Sequence, residues 1–232
     1  MSPLSARPAY SPCVAAAPTV VVTEIFRSLQ GESTWAGLPC TFVRLTGCSL
    51  RCVWCDSAYA FSGGTGLSID AVVEQVAALG APLVEITGGE PLEQEGVYSL
   101  ATTLCDRGYT VLLETGGHVP VDRVDPRVVK ILDVKCPGSG MAAANDLANL
   151  SRLGPRDEVK FVVADRRDFD FALDLVRRRD LDARHVVLIS PVFEGDRSPL
   201  AADVAEWVRD SGRRLRLSLQ VHKFLWGDRP GK

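Results

Sequence analysis

Short, nearly continuous apolar runs recur along the chain between residues 20 and 189. They are rich in valine and isoleucine and lack the strict alternation of a half-exposed strand. Such runs are typical of parallel strands that are covered on both faces. The sequence therefore predicts the strands Val20–Phe26, Thr41–Thr46, Leu83–Thr87, Thr110–Glu114, Ile131–Val134, Glu158–Val163 and Val186–Ile189.

Segments with a helical period lie between most of these strands. Ser68 and Asp70 precede the apolar period of the first segment, and Gly80 follows it, as helix caps do. The connection between residues 116 and 127 holds Pro120 and Pro126 and is predicted to be a loop without a full helix. The predicted helices are Ser68–Leu79, Gln94–Arg107, Asn145–Leu153, Asp168–Arg178 and Leu200–Ser211.

The alternation of strands and helices predicts an α/β fold with a parallel sheet and right-handed crossovers. The pattern fits either an open parallel sheet or an incomplete barrel. Because one connection lacks a helix, such a barrel would be open and irregular. A chain of 232 residues with 46% hydrophobic content can bury one sizeable core, so residues 19–232 are predicted to form one catalytic domain. Residues 1–18 are rich in proline and small residues and are predicted to be a disordered N-terminal extension.

The charge balance indicates neither a nucleic-acid partner nor a membrane surface. The formal net charge is only -3, and no apolar run approaches the roughly 20 residues that cross a bilayer. The N-terminal segment is interrupted by prolines and lacks the continuous apolar region of a signal peptide. We therefore expect a cytoplasmic protein.

Three of the seven cysteines lie within one short run, in the spacing C-x3-C-x2-C. They are Cys48, Cys52 and Cys55. Three thiolates on one loop can bind three irons of a 4Fe–4S cluster and leave the fourth iron open for a substrate or cofactor. In a reducing compartment, clustered cysteines bind metal more often than they form disulfides. A zinc site is the alternative, with Cys40 or a remote cysteine or histidine as the fourth ligand.

Polar and glycine-rich segments follow several of the predicted strands. The carboxyl ends of parallel strands meet at one rim, where α/β folds collect their chemistry, so these segments are expected to lie together. Taken alone, each glycine pair also fits a simple tight turn. The segments are Gly47–Asp56, Thr87–Pro91, Glu114–Gly117, Asp133–Gly140 and Ser190–Pro191.

The cysteine run and the later segment Thr87–Pro91 (TGGEP) together resemble the radical S-adenosylmethionine superfamily. The resemblance implies an incomplete, irregular (β/α)6-type partial TIM barrel. It also implies a 4Fe–4S cluster on the three cysteines, whose open iron chelates S-adenosylmethionine. In that superfamily one electron cleaves the cofactor and releases a 5'-deoxyadenosyl radical, while the protein positions the reactants.

Further segments resemble the 7-carboxy-7-deazaguanine synthase family within that superfamily. They are Glu24–Glu32, Phe42–Cys48, Cys55–Ser57, Asp133–Gly140 and Gln220–Lys223. The resemblance implies a carbon–nitrogen lyase that contracts 6-carboxy-5,6,7,8-tetrahydropterin to 7-carboxy-7-deazaguanine with loss of ammonia. It further implies a role in queuosine or nucleoside natural-product biosynthesis, a homodimer, and an electron donor such as flavodoxin or ferredoxin.

The residue types at the matching positions suit a pterin. Gln30 both donates and accepts hydrogen bonds and Glu32 only accepts them, so together they can bind the amide-like edge of the ring. Arg44 can pair with the substrate carboxylate as a bidentate fork. Without the resemblance, an ordinary polar loop would explain Gln30 and Glu32 equally well. The substrate positions that the resemblance implies are Leu29, Gln30, Gly31, Glu32, Arg44, Thr87, Glu114 and His222.

The resemblance also implies a set of S-adenosylmethionine contacts and a magnesium ligand. Ser57 stands where the family commonly has a threonine whose hydroxyl binds Mg²⁺. Serine keeps that oxygen, so a magnesium site completed by substrate and water is expected. The predicted cofactor contacts are Trp54, Cys55, Asp56, Gly89, Glu90, Lys135, Cys136 and Pro137.

Two other functions fit part of this pattern. A glycyl-radical-enzyme activase also carries C-x3-C-x2-C, but it acts on a protein glycine and needs no groups that bind a pterin edge. Gln30, Glu32 and Arg44 therefore favour the small substrate. The second alternative is a zinc-stabilised binding module without catalysis.

Overall fold

The computed structural model describes residues 18–193, 199–227, 229 and 231, so nearly all of the predicted N-terminal extension lies outside the described residues. One nine-stranded sheet has the order β3-β1-β2-β4-β5-β6-β7-β8-β9. β1 pairs antiparallel with β2 and β3, and every pair from β2 to β9 is parallel. The strands are β1 (Thr19–Leu29), β2 (Pro39–Leu45), β3 (Thr65–Ser68), β4 (Leu83–Gly88), β5 (Thr110–Thr115), β6 (Val129–Asp133), β7 (Glu158–Val163), β8 (Val186–Pro191) and β9 (Leu215–Leu217).

The sheet ends at β3 and β9 and does not close, which confirms the predicted open barrel. Its helices begin and end at the expected caps: Ser68 accepts a hydrogen bond from Ala71 N at 3.2 Å, and Gly80 ends the first helix with a φ of 70°. No helix in the described ranges is long and apolar enough to cross a membrane. The helices are α1 (Ile69–Leu79), α2 (Gly96–Asp106), α3 (Arg166–Arg179), α4 (Leu181–Arg184), α5 (Pro199–Asp210) and α6 (Val221–Trp226).

The predicted helix Asn145–Leu153 is wrong. Short 3-10 turns at Ala142–Ala144 and Leu147–Ser151 replace it. Asn145 has a ψ of 125° and its side chain bonds the backbone of a neighbouring loop, which competes with helix formation. The short elements β3, β9, α4 and α6 were not predicted, because three to six residues carry too little periodicity to be recognised.

The interior of the open barrel has an apolar floor below a charged layer. The charged layer consists of Glu32, Glu85, Glu114 and Lys160. Successive strand residues point to opposite faces, so Leu83, Glu85 and Thr87 share the inner face of β4. Leu83 packs with other inner residues into a buried apolar cluster, whereas Glu85 and Thr87 line the cavity above it. The apolar floor consists of Cys40, Leu83, Leu112, Val129, Ile131 and Leu188, with Trp35 and Phe42 packed against it.

Candidate active site

A cavity of about 680 Å³ opens above the charged layer, at the carboxyl ends of the parallel strands. It brings together residues from the cysteine loop, the β1–β2 loop, the strand ends and α6. All the predicted site residues line it except Cys136 and Pro137. Those that do are Leu29, Gln30, Gly31, Glu32, Arg44, Cys48, Cys52, Trp54, Cys55, Asp56, Ser57, Thr87, Gly89, Glu90, Glu114, Lys135 and His222.

The three clustered cysteines carry free, partly exposed thiols that face this cavity. Burial raises the pKa of Cys48 to about 11 and also raises the pKa of Cys52. Within the described ranges, no group of three or more His, Cys, Asp or Glu side chains is arranged to hold a single metal ion. A 4Fe–4S cluster binds each cysteine through a different iron, so it does not need the three thiolates to converge on one point. The loop therefore suits a cluster better than a zinc ion.

The glycine-rich segment packs directly against the cysteine loop. Gly88 has a φ of 129°, and a Cβ atom there would overlap the backbone of Leu45. A Cβ on Gly89 would overlap the carbonyl oxygen of Gly47, beside Cys48. Glu90 N donates a hydrogen bond to that same Gly47 oxygen at 2.7 Å. Both glycines are thus required by the close approach of two backbones, which holds the cysteine loop against β4.

The carboxylate of Glu90 is engaged within the protein. It is 1% exposed and accepts hydrogen bonds from Leu92 N at 3.0 Å, Thr115 Oγ1 at 2.8 Å and Gly116 N at 2.7 Å. Burial raises the pKa of Glu90 above its usual value, although these hydrogen bonds offset part of the rise. Glu90 therefore ties the loop after β4 to the loop after β5. Its predicted contact with S-adenosylmethionine stays a prediction.

The segment after β6 supplies a lysine and an unpaired acceptor. Lys135 Nζ lies 2.9 Å from Asp133 Oδ2, and the side chain of Asn145 bonds Lys135 N and O, each at 2.9 Å. Asp133 Oδ1 is buried and has no hydrogen-bond partner in the described part of the chain. A hydroxyl or ammonium donor of a bound cofactor would satisfy it, so this wall suits S-adenosylmethionine. Cys136 and Pro137 are the neighbours that do not line the cavity, and the Cys136 side chain packs in the core.

Gln30 is held in place by two partners. Its Nε2 donates to the carboxylate of Glu85, and its Oε1 accepts from Glu32 N. One amide hydrogen therefore remains for a ligand. Burial raises the pKa of Glu85 well above its usual value, and the nearby Glu114 raises it further.

Lys160, at the centre of the charged layer, was not identified from the sequence. Its Nζ lies 2.9 Å from Glu32 Oε2, donates to Glu114 Oε1, and is 4.0 Å from Asp133 Oδ2. Burial lowers the pKa of Lys160, but the Glu114 and Glu32 carboxylates outweigh this and raise it well above its usual value. The available signal was the pair of charges, Glu158 and Lys160, in the otherwise apolar strand EVKFVV. Lys160 is the one nearer the rim, where an ionised group faces the cavity.

Helix α6 joins the substrate side of the cavity to the cysteine loop. Gln220 Nε2, just before the helix, donates to Glu32 Oε1 at 2.9 Å. Lys223 Nζ lies 2.8 Å from Asp56 Oδ2. Burial raises the pKa of Asp56, but Lys223 outweighs it and the resulting pKa is about 2. His222 lies between these two attachments and lines the cavity as predicted.

Arg44 also lines the cavity, beside Ser57. Arg44 Nε donates to Glu24 Oε1 at 2.8 Å, and Nη1 donates to Ser57 Oγ at 3.4 Å. Ser57 Oγ donates to Asp56 Oδ1 at 3.0 Å. A guanidinium and a hydroxyl oxygen thus stand side by side, where a carboxylate and a cation could be bound next to each other.

Comparison with known proteins agrees with this geometry. Residues 42–134, which include the cysteine loop and the glycine-rich segment, match the family model of the Radical SAM superfamily, the class of protein that the open barrel and its cysteine loop resemble. The chain is 48% identical over 218 residues to the 7-carboxy-7-deazaguanine synthase of Koribacter versatilis, covering 88% of this chain and 96% of that one. It therefore belongs to the 7-carboxy-7-deazaguanine synthase family.

Two further relatives support this assignment. The 7-carboxy-7-deazaguanine synthase of Chlorobaculum tepidum is 45% identical over 208 residues, covering 88% of this chain and 93% of that one. The crystal structure of QueE from Escherichia coli superposes with a TM-score of 0.74 at 26% identity, covering 88% of this chain and 95% of that one. Membership of this family decides against the two alternative functions that the sequence left open, which were a glycyl-radical-enzyme activase and a zinc-binding module.

Proposed function

We propose that the protein contracts 6-carboxy-5,6,7,8-tetrahydropterin to 7-carboxy-7-deazaguanine and releases ammonia. The observation that carries this proposal is one cavity in which the cysteine loop faces Arg44 and the network of Glu32, Lys160 and Glu114. One wall suits a radical-generating cofactor, and the other suits a pterin with a carboxylate. The reaction balances, because the pterin minus one ammonia has the atoms of the deazapurine.

When bound, the cluster and S-adenosylmethionine would supply radical chemistry that takes the hydrogen from C6 of the pterin and returns it to the substrate after the rearrangement. Cys48, Cys52 and Cys55 hold the cluster. Lys135 and the unpaired Asp133 oxygen offer a cation and an acceptor to the cofactor. The protein's task is to bind both reactants and to keep C6 near the radical.

The carboxylates of Glu32 and Glu114 accept hydrogen bonds from the amino and ring N–H groups of the pterin. Lys160 holds both carboxylates in place and compensates part of their charge. Thr87 Oγ1 donates to Glu114 Oε2 at 3.4 Å and supports it from β4. Arg44 pairs with the substrate carboxylate.

Magnesium is proposed at Ser57. Its hydroxyl oxygen is a hard ligand at the cavity wall, and the substrate carboxylate and waters complete the shell that Mg²⁺ prefers. The ion would orient the carboxylate and stabilise developing negative charge. We expect turnover to fall when Mg²⁺ is withheld.

The cellular setting is proposed from the family. A flavodoxin or ferredoxin supplies the electron, the protein acts as a homodimer, and the product enters queuosine or nucleoside natural-product biosynthesis. A cytoplasmic location fits the six described cysteines, all of which are free thiols. Neighbouring genes would distinguish the two product fates.

The proposal is tested by anaerobic reconstitution followed by turnover with the pterin labelled with deuterium at C6. We expect 7-carboxy-7-deazaguanine by mass spectrometry and deuterium in 5'-deoxyadenosine. Cys55→Ala is the inactive control, and Cys136→Ala should keep its iron because that thiol lies in the core. A protein with four irons that cleaves S-adenosylmethionine and leaves the pterin unchanged would overturn the proposal.

A further inference from the structure

Three side chains form a compact group at the wall of the cavity beside the cysteine loop. Glu24 Oε1 accepts a hydrogen bond from Arg44 Nε at 2.8 Å and another from the hydroxyl of Tyr59 at 2.7 Å. The Arg44 guanidinium carbon also lies 5.7 Å from the Tyr59 ring centroid and 5.9 Å from that of Phe26. Both distances are within the range of a cation–π interaction. The two hydrogen bonds thus converge on one Glu24 oxygen, and the two rings lie beside the guanidinium that this oxygen holds.

A cross-strand ion pair explains only part of this group. Glu24 of β1 is paired directly with Arg44 of β2 in the sheet register, and opposite charges at such positions stabilise hairpins on their own. Tyr59, however, comes from the 3-10 turn Ala58–Phe61 that follows the cysteine loop. Its hydroxyl reaches the same Glu24 oxygen that binds Arg44. The contact between Tyr59 and Glu24 therefore links the guanidinium, through Glu24, to the segment that follows the cysteine loop. Pairing of β1 with β2 does not require such a link.

The contacts leave one edge of the guanidinium for a ligand. Nε is used by Glu24, and Nη1 donates to Ser57. Nη2 has no hydrogen-bond partner within the described residues. One hydrogen of Nη1 and both hydrogens of Nη2 remain to bind a carboxylate.

We infer that Glu24 and Tyr59 are positioning residues that fix the Arg44 guanidinium and so make the pocket selective for a pterin that carries a carboxylate. The inference rests on the proposed function and extends it to substrate selection. A flexible arginine loses side-chain freedom when it binds, so a guanidinium that is fixed beforehand binds its carboxylate more tightly. The selectivity lies in the carboxylate contact and leaves binding of the pterin ring itself unchanged.

The test compares two ligands on the reconstituted enzyme. One is 6-carboxy-5,6,7,8-tetrahydropterin as substrate, and the other is unsubstituted tetrahydropterin as a competitive inhibitor. For Glu24→Gln we expect KM for the substrate to rise about tenfold, since the amide oxygen accepts more weakly than the carboxylate and the ion pair is lost, with the inhibition constant of the analogue unchanged. Tyr59→Phe keeps the ring and loses only the hydroxyl, so we expect a rise of about threefold.

Matched controls are Glu74→Gln on the exposed face of α1 and Tyr109→Phe, both outside the cavity lining. They should leave both constants unchanged. A parallel loss of affinity for both ligands, or no change in either, would overturn the inference and show that the group only supports the hairpin. Tyr59→Phe keeps the test decisive if Glu24→Gln does not fold.

The outcome also separates this inference from the proposed function. If the wild-type enzyme converts the carboxylated pterin and the variants keep its preference over the analogue, only the inference fails. If the wild-type enzyme neither binds nor converts the carboxylated pterin, both fail together.

Discussion

The ammonium group of Lys160 lies 2.9 Å from the Glu32 carboxylate, although β7 and the β1–β2 loop are far apart in the sequence. The same ammonium group donates to Glu114 on β5. Three separate segments thus meet at one buried cation, which is 5% exposed. Lys160 thus holds the carboxylates of Glu32 and Glu114 together in the charged layer of the barrel.

Replacing buried Lys160 with methionine should leave two half-buried carboxylates, Glu32 and Glu114, without their cation. We expect the free energy of unfolding to fall by about 3–5 kcal/mol, as when one partner of a buried ion pair is removed. We also expect kcat/KM to fall on the order of 100-fold, because Glu32 and Glu114 lose their fixed positions. Urea unfolding and steady-state kinetics measure the two effects.

Lys130 provides the matched control, since its Nζ pairs with Asp157 Oδ2 at 2.9 Å in a buried site outside the cavity lining. Lys130→Met should destabilise the fold to a similar extent and leave KM unchanged. If Lys160→Met behaves in the same way, the role assigned to Lys160 is wrong.

Gly89→Ala should disturb the cluster through the backbone. The new methyl group would overlap Gly47 O and contact Cys48 Cβ, so the cysteine loop must move. We expect destabilisation of about 1–3 kcal/mol, as for an overpacked core, and incomplete iron loading after reconstitution. Gly66→Ala is the control, because a Cβ there meets no atom within 4 Å. Full iron content in Gly89→Ala would contradict the prediction.

Asn145→Ala should weaken S-adenosylmethionine binding and leave the cluster intact. Its side chain holds the backbone of Lys135 at both N and O, and we expect about a tenfold loss of affinity when that loop is released. The change of the cluster spectrum on titration with S-adenosylmethionine measures it. Asn149→Ala, which frees the neighbouring loop at Gly117 and Val119, should destabilise the protein without this loss. A parallel fall in iron content would count against the assignment.

Stability should depend on pH through His185, which is 8% exposed. Burial lowers its pKa below the usual value, and Arg184 lowers it further. Below about pH 6.5 the unfolded chain binds a proton that the folded protein does not, so stability falls as the pH decreases. The slope from this group is at most about 1.4 kcal/mol per pH unit. Urea unfolding of the apoprotein between pH 8 and pH 5 should show a smaller slope for His185→Gln, and an unchanged slope would exclude this cause.

The chemistry of the site was largely accessible from local segments. The cysteine spacing and the glycine-rich segment need only short-range sequence, and the strand pattern places both at the carboxyl ends of the sheet. Gly88 and Gly89 show the limit of that approach. The sequence offered a tight turn or a ligand contact as explanations, whereas the structure shows that two backbones touch there.

Long-range pairing was harder to predict. Glu85 is the one charge in its apolar strand and Lys160 is one of two, and their inward direction becomes meaningful only when the partner strands are known. The contact of Gln30 with substrate stays a prediction, and the sequence did not indicate that its amide also bonds Glu85 and the backbone of Glu32. Asn145 looked like the start of a helix, because its use as a backbone clamp depends on a loop ten residues away.

The attachment of α6 to Glu32 and Asp56 has a consequence for the order in which the site is made. A chain emerges from the ribosome N-terminus first, so all three cluster cysteines appear more than 100 residues before Lys160, Gln220 and His222. The growing chain therefore has its iron ligands long before it has a pocket that can hold the pterin.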